Sequence, residues 1–194
     1  ERLGDFIWRR STSVSSVCPS ELPPSPLNPD GAALDDMVFI DIETTGLSGG
    51  AGTVAFLIGI GERQGSEFRV EQLFLRDYPG EPDLLTILLD RFRDDAIYVS
   101  YNGKSFDTQI LKTRFVMNGM RINFVRQLDL LHPSRRLWSS MLDSCSLGSI
   151  EEHILGVTRE LDVPGIMVPE IYFDFLRTGD TEALAGVFAH HLED

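Results

Sequence analysis

Asp41 and Glu43 stand one residue apart at the end of an apolar run, MVFI. Side chains of an extended strand alternate faces, so acids at these two positions emerge on the same side and repel each other. An apolar strand more commonly ends in a turn residue than in a matched second acid. A divalent cation relieves the repulsion, and carboxylate-rich oxygen ligation suits Mg²⁺ or Mn²⁺ better than zinc. Two carboxylates cannot finish such a site, so further acids are required at the same place. Asp107, in NGKSFD, lies just inside an expected helix, where a carboxylate also serves the helix dipole. HHLED supplies Asp194, with His190 four residues and His191 three residues before it on one helical face. Each of these residues alone reads as ordinary surface; together the acids form an ordered set.

The elements that must position this set are legible in the hydrophobic pattern. MVFIDI, TVAFLIGIG and FRVEQLFL are successive β-branched or aromatic runs with Gly-containing turns between them, which predicts an antiparallel meander. EPDLLTILLDRF repeats its leucines at helical spacing. AIYVSYN then reads as a buried strand, SFDTQILKTRFVMNG as a helix with Ser105 as N-cap and Gly119 near its end, and INFVRQLDLL as a fifth strand. Helices follow around SLGSIEEHILG and PEIYFDFLRTG, and from TEALAGVFAHHLED onward. The expected fold is α/β: a mixed sheet of three meander strands plus parallel strands, flanked by helices. Residues 1–35, rich in Pro and Ser, read as a flexible or surface-hugging lead-in anchored by Phe6, Ile7 and Trp8, and residues 36–194 as the domain.

A chain of 194 residues suits one domain with a substantial core. No window approaches the roughly 18 apolar residues of a membrane span, no secretory signal is visible, and two cysteines, Cys18 and Cys145, make neither a disulfide framework nor a zinc site. A soluble protein of the reducing cytoplasm is expected. The net charge of −13 argues against gripping a long duplex. The charge is uneven, however: Lys104, Lys112, Arg114, Arg121, Arg126, Arg135 and Arg136 face only Asp107 and Asp129 in that segment. It reads either as a local polyanion-facing surface or as a solvated helix face.

DIETTGL, then NGKSFD with its N-x-x-x-F-D pattern, then HHLED with H-x-x-x-D resemble the three exonuclease motifs of the DEDD superfamily, which has a ribonuclease H-like fold. DIETTGLSGGAGT, VSYNGKSFD, DLLHPSRRLW, CSLGSIEEHILG and VPEIYFDFLRTGD further resemble the YprB-like group of predicted exonucleases, often followed by tetratricopeptide repeats. The resemblance covers roughly residues 37–194. It implies that Asp41, Glu43, Asp107 and Asp194 bind two Mg²⁺ or Mn²⁺ ions about 3.5–4 Å apart for an in-line displacement at a phosphodiester. It implies 3′→5′ polarity and a substrate of nucleic acid, engaged at single-stranded ends. In the better-known branches the fifth residue is a tyrosine four before the last acid or a histidine five before it. Here His190 is at the four-residue position and Ala189 at the five-residue one. His190 is the candidate general base or water-orienting group, with His191 as runner-up.

Thr44, Thr45 and Leu47 occupy positions that lie against the terminal nucleotide in related exonucleases, and TTGL is equally a turn. Asn102 and Lys104 are placed to touch a phosphate, although Asn-Gly is itself a turn signal. His132 in LHPS reads as a turn, and Ser149 with Glu152 as a capping box. Gly49, Gly50 and Gly52 lack the Lys-Ser/Thr ending of a P-loop and read as a strand connection. Two rivals stand against an exonuclease. One is a nuclease-like module that only binds nucleic acid or protein. The other is a haloacid-dehalogenase-type phosphatase, whose D-x-D-T start D-x-E-T imitates but whose later lysine has few candidates here, only Lys104 and Lys112.

Overall fold

The computed structural model describes residues 1–14, 32–46, 50–159 and 163–194, so Cys18, Leu47 and Gly49 lie outside the described residues. Six strands form one mixed sheet: β1 Ile7–Val14, β2 Met37–Thr44, β3 Ala55–Gln64, β4 Glu67–Leu75, β5 Ile97–Ser100 and β6 Arg126–Asp129, in the order β1-β4-β3-β2-β5-β6. β2, β3 and β4 make the expected antiparallel meander. β5 and β6 add in parallel on the other side of β2. Parallel neighbours need crossovers, which α1 (Glu81–Arg91) and α2 (Asp107–Met117) supply. The α/β architecture read from the sequence is thus the one observed.

β2 alternates as its sequence demands. Val38, Ile40 and Ile42 enter the main core together with Leu84, Leu85 and Leu88 of α1 and Leu111 and Phe115 of α2. Asp41 and Glu43 stay on the other side of the strand, only partly covered. At the charged end of the strand the register with β3 shifts between Glu43 and Thr44. Such an irregularity bends a strand and re-aims its side chains. β2 is also where the sheet switches from antiparallel to parallel neighbours, the place where open sheets leave a crevice beyond the carboxyl ends of their strands.

Five expectations are corrected. Ile7–Val14 is a paired edge strand, not a flexible lead-in; its polar sequence hides a strand that β4 templates along its whole length. Ile7 is buried, and the Trp8 ring lies 5.9 Å from that of Phe74 with the Arg76 guanidinium 4.5 Å over it. The fifth sequence strand shortens to Arg126–Asp129, and His132 lies in a helix, α3 (Leu131–Trp138), not a turn. Pro133 sits in the first turn of α3, where the missing N–H has no helical partner to lose. Ser105 does not cap α2: its hydroxyl donates to the Asn102 carbonyl and Oδ1, and Phe106 precedes the helix without a side-chain cap. Ser146, not Ser149, caps α4 (Leu147–Ile150), which runs on into a single wide turn, Glu151–Leu155.

The chain finishes in α5 (Val168–Thr178) and α6 (Glu182–Glu193). Tyr172 of α5 stacks on Phe56 with centroids 4.0 Å apart, and Phe188 of α6 packs on Phe74. These aromatic contacts press both helices against the sheet and bring the end of α6 to β2. Among the described residues no helix is long and apolar enough to cross a membrane.

Candidate metal centre

One row across the sheet carries the centre. Asp41 pairs with Gly59 of β3, and Gly59 with Gln72 of β4. Residues directly opposite in antiparallel strands share a face, and α6 lies over this one. The His191 ring occupies the space above Gly59, where an added Cβ would come within 2.5 Å of Cε1. The Gln72 amide nitrogen donates one hydrogen to the Phe188 carbonyl at 2.9 Å and faces His191 Nδ1 at 3.1 Å with the other. His191 Nδ1 is therefore the acceptor, and Nε2 keeps the proton that it directs at the Asp41 carbonyl oxygen, 3.3 Å away. Burial lowers the imidazole to about 4, against the opposing effect of the Asp41 hydrogen bond. With a side chain wholly out of solvent, His191 is a structural pin between helix and sheet. It is not placed to meet a substrate.

The preceding residue does the reverse. His190 Nε2 lies 3.3 Å from Asp194 Oδ2 and 3.8 Å from Glu43 Oε1. Among the described residues, Glu43, His190 and Asp194 bring one ligand atom each to within 4.8 Å of one another. Arg159 binds the same corner: its guanidinium meets Asp194 Oδ1, reaches His190 Nδ1 at 3.1 Å, and is anchored by Glu151 at 2.7 and 2.8 Å. Burial acts to lower the Arg159 value, and the hydrogen bonds it donates to Glu151 and Asp194 override it, so the group stays charged. A guanidinium has no acceptor, so neutral His190 takes the Arg159 hydrogen on Nδ1 and presents an N–H at Nε2 to the acids.

Asp41 and Asp107 complete the set. Burial, then the charges of Asp107, Asp194 and Glu43, hold the Asp41 carboxyl well above the usual carboxylate range. Asp107 opens α2 in a buried position, and burial followed by the charge of Asp129 pushes it up to about 7. Its approach depends on Gly103, where a Cβ would stand 2.7 Å from Asp107 Oδ2. Asp129 is the residue that sequence reasoning left among surface charges. It is buried at the end of β6 and accepts N–H bonds from Asn102 at 2.8 Å, Lys104 at 3.1 Å and Leu131 at 3.0 Å. It holds the loop before Asp107 and starts α3 together, and Asn102 adopts φ 63° within that loop. A carboxylate at the end of a strand was the available signal, although RQLD is not apolar as MVFI is. Arg159 and Gln72 had no such signal.

The other sequence candidates divide. The Thr44 hydroxyl donates to Gly46 O, and the Thr45 hydroxyl accepts from Val54 N, so both shape the turn after β2. Asn102 and Lys104 flank Gly103 beside Asp107, with the Lys104 side chain exposed. The basic segment is sorted as well: Arg114 is buried in a two-pronged pair with Glu81 at 2.5 Å and donates to the Ala51 carbonyl at 2.6 Å, whereas Arg135 is exposed. Asp41 and Asp107, whose carboxyls burial and neighbouring acids hold above the usual range, beside Glu43 and Asp194 with one imidazole at their edge, offer the donor chemistry that a hard divalent cation satisfies. The residues present fit Mg²⁺ or Mn²⁺.

Comparisons with known proteins bear on the family and the fold. A family model of the RNase_H superfamily matches residues 38–194. The chain is 36% identical over 171 residues to the uncharacterized protein YprB of Bacillus subtilis (strain 168), a match that covers 87% of this chain and 41% of YprB. Among solved structures it is similar to the family B DNA polymerase of the hyperthermophilic archaeon Pyrobaculum calidifontis, with TM-score 0.58 and 17% identity over 81% of this chain and 23% of the polymerase. It is also similar to Escherichia coli ExoI in a zinc-bound complex with single-stranded DNA, with TM-score 0.53 and 13% identity over 78% of this chain and 42% of ExoI. At those identities the likeness is one of fold.

Proposed function

The chain belongs to the RNase_H superfamily, and on that premise we propose that it is a Mg²⁺- or Mn²⁺-dependent DEDD-type exonuclease, hydrolysing phosphodiester bonds at single-stranded nucleic-acid ends with 3′→5′ polarity. The observation that carries this reading is the convergence of Glu43 of β2 with His190 and Asp194 of α6, beside Asp41 and Asp107, whose carboxyls burial and neighbouring charges hold above the ordinary range. The ions, two when bound, would supply Lewis acidity and water activation. Asp41, Glu43, Asp107 and Asp194 would hold them. His190 directs its Nε2–H into the site and orients the attacking water; it serves as general base only when Arg159 releases Nδ1. Thr44, Thr45 and Leu47 on one side, and Asn102 and Lys104 on the other, would flank the terminal nucleotide. Its acidity is no obstacle, because a strand end needs few phosphate contacts. Free Cys145 is in keeping with a reducing cytoplasm.

The pairing of Arg159 with Asp194 favours a second reading, a nuclease-like module that binds without cutting. End-labelled single-stranded DNA and RNA incubated with Mn²⁺, with chelator, and with Asp41→Ala decide between them. Metal-dependent release of nucleotides from the 3′ end, lowered on the order of 10³-fold in the variant, is the expected result. Binding without cleavage supports the second reading, and cleavage undiminished in Asp41→Ala removes the proposed centre.

A further inference from the structure

Two hollows adjoin at the carboxyl rim of the parallel strands. The first, of about 280 Å³, contains Asp41, His191 and Asp194 in its wall. The second, of about 330 Å³, runs from Asn102 to Arg135 of α3. Tyr101 and Leu147 belong to the walls of both, so the two hollows lie side by side and together make a groove, divided by the Tyr101 ring, that leads away from the carboxylates. Its two ends differ sharply in charge. The first hollow carries acids, and none of the described residues lining the second is acidic.

The second hollow is furnished for an anion. Arg135 is exposed within it. Ser144 Oγ accepts from Ser146 N at 3.1 Å, and Ser146 Oγ accepts from Ser149 N at 3.4 Å. Each hydroxyl satisfies a backbone donor with a lone pair and keeps its own hydrogen to donate. The Tyr101 hydroxyl donates to the Cys145 carbonyl at 2.5 Å and fixes the wall between the hollows. One guanidinium, two hydroxyl donors and an aromatic partition suit a phosphodiester with its sugar and base, whereas a folded protein surface would demand a broader contact.

We propose that this groove is the track of the single-stranded nucleic-acid backbone, with Arg135 binding an internal phosphate upstream of the end held at the metal centre. The proposal rests on the exonuclease reading and sharpens it: the strand leaves the centre past Tyr101 and over the start of α3. Arg135 then contributes to strands long enough to reach it and little to a substrate confined to the centre.

The test uses fluorescein-labelled 12-residue oligothymidylate and oligouridylate for binding in the presence of Ca²⁺, and the p-nitrophenyl ester of thymidine 5′-phosphate for hydrolysis with Mn²⁺. Arg135→Glu should weaken 12-mer binding at least fivefold and lower the slope of log K against log salt by about 0.7, the loss of one phosphate contact. Its effect on the short ester should be several-fold smaller. Arg135→Lys should recover most of the binding, since a lysine still offers a point charge. Arg121→Glu, an exposed basic residue between α2 and the amino end of β6, is the control and should leave both readouts in place. Equal losses for Arg135→Glu and Arg121→Glu, or none for either in a protein that cleaves the ester, overturn the track while the exonuclease reading stands. A wild-type chain that neither binds the 12-mers nor cleaves the ester overturns both.

Discussion

The two halves of the candidate metal centre are held by different physics. Asp41 and Glu43 ride on a central strand that pairs with β3 at both residues and with β5 just before them, so the sheet itself fixes them. His190 and Asp194 come from α6, which shares no backbone ladder with the sheet. That half is held by polar pins: Gln72 and the Asp41 carbonyl on His191, and Arg159 with its anchor Glu151 on Asp194. A strand needs only its alternation to aim two carboxylates, while a helix end needs partners distant in sequence.

The largest test of this contrast removes the arginine pin. Arg159→Gln leaves Glu151 buried without its guanidinium, and breaking a pair of that kind costs about 3 kcal/mol. Thermal unfolding should show the loss, and Mn²⁺ titration of the folded variant should show weaker binding because Asp194 is no longer held. If affinity rises instead, Arg159 competes with the metal and is not a support. Gly59→Ala comes next. Its Cβ intrudes on the buried His191 ring, an overpacking worth about 2 kcal/mol, and it should disturb α6 while leaving β2 paired. Nuclear magnetic resonance of the backbone amides checks this: shifts confined to α6 support the contrast, and shifts spread along β2 break it. Gln72→Met is milder, about 1–2 kcal/mol for stranding His191 Nδ1 without its donor. A histidine ring that keeps its Nε2–H tautomer in the variant would show that Gln72 is not what sets it.

The same contrast explains what was legible in the sequence. MVFIDI revealed both its strand and its two acids because period-two alternation is written in consecutive residues. Asp107 and Asp194 were readable from their places at a helix start and in HHLED, but their convergence was implied only by the resemblance. β1 was missed because IWRRSTSV has no alternation of its own and is a strand by virtue of β4. Arg159, Gln72 and Gly59 were missed for a related reason: a pin acts on residues far away in the chain, and nothing nearby in the sequence reports it. Asp129 was less legible, since RQLD is not an apolar run as MVFI is, and its three N–H donors come from the loop before α2 and from the first residue of α3.

The smallest effect concerns protons, and here the two halves have opposite signs. Asp107 titrates near 7 in the folded, metal-free protein against 3.8 for the ordinary group, so between those values the folded state binds more protons than the unfolded one, and stability falls as pH rises. Asp41, also raised, adds to the same limb. His191 titrates near 4 when folded against 6.5, so the unfolded state binds more protons in that window, and stability falls as pH drops through it. From about pH 4 to 6.5 the two slopes oppose each other, so the metal-free chain should vary little in stability there and lose it as pH rises further. Asp107 alone accounts for a loss of about 1 kcal/mol between pH 6 and 8, or about 2–4 °C in melting temperature for a chain of this size. Asp107→Asn should flatten that alkaline limb and spare the acidic one, and Mn²⁺ should flatten it in the wild type by supplying the missing counter-charge. An alkaline limb unchanged by both would mean that the carboxylates do not crowd one another, which would undo the electrostatic reason for placing a cation among them.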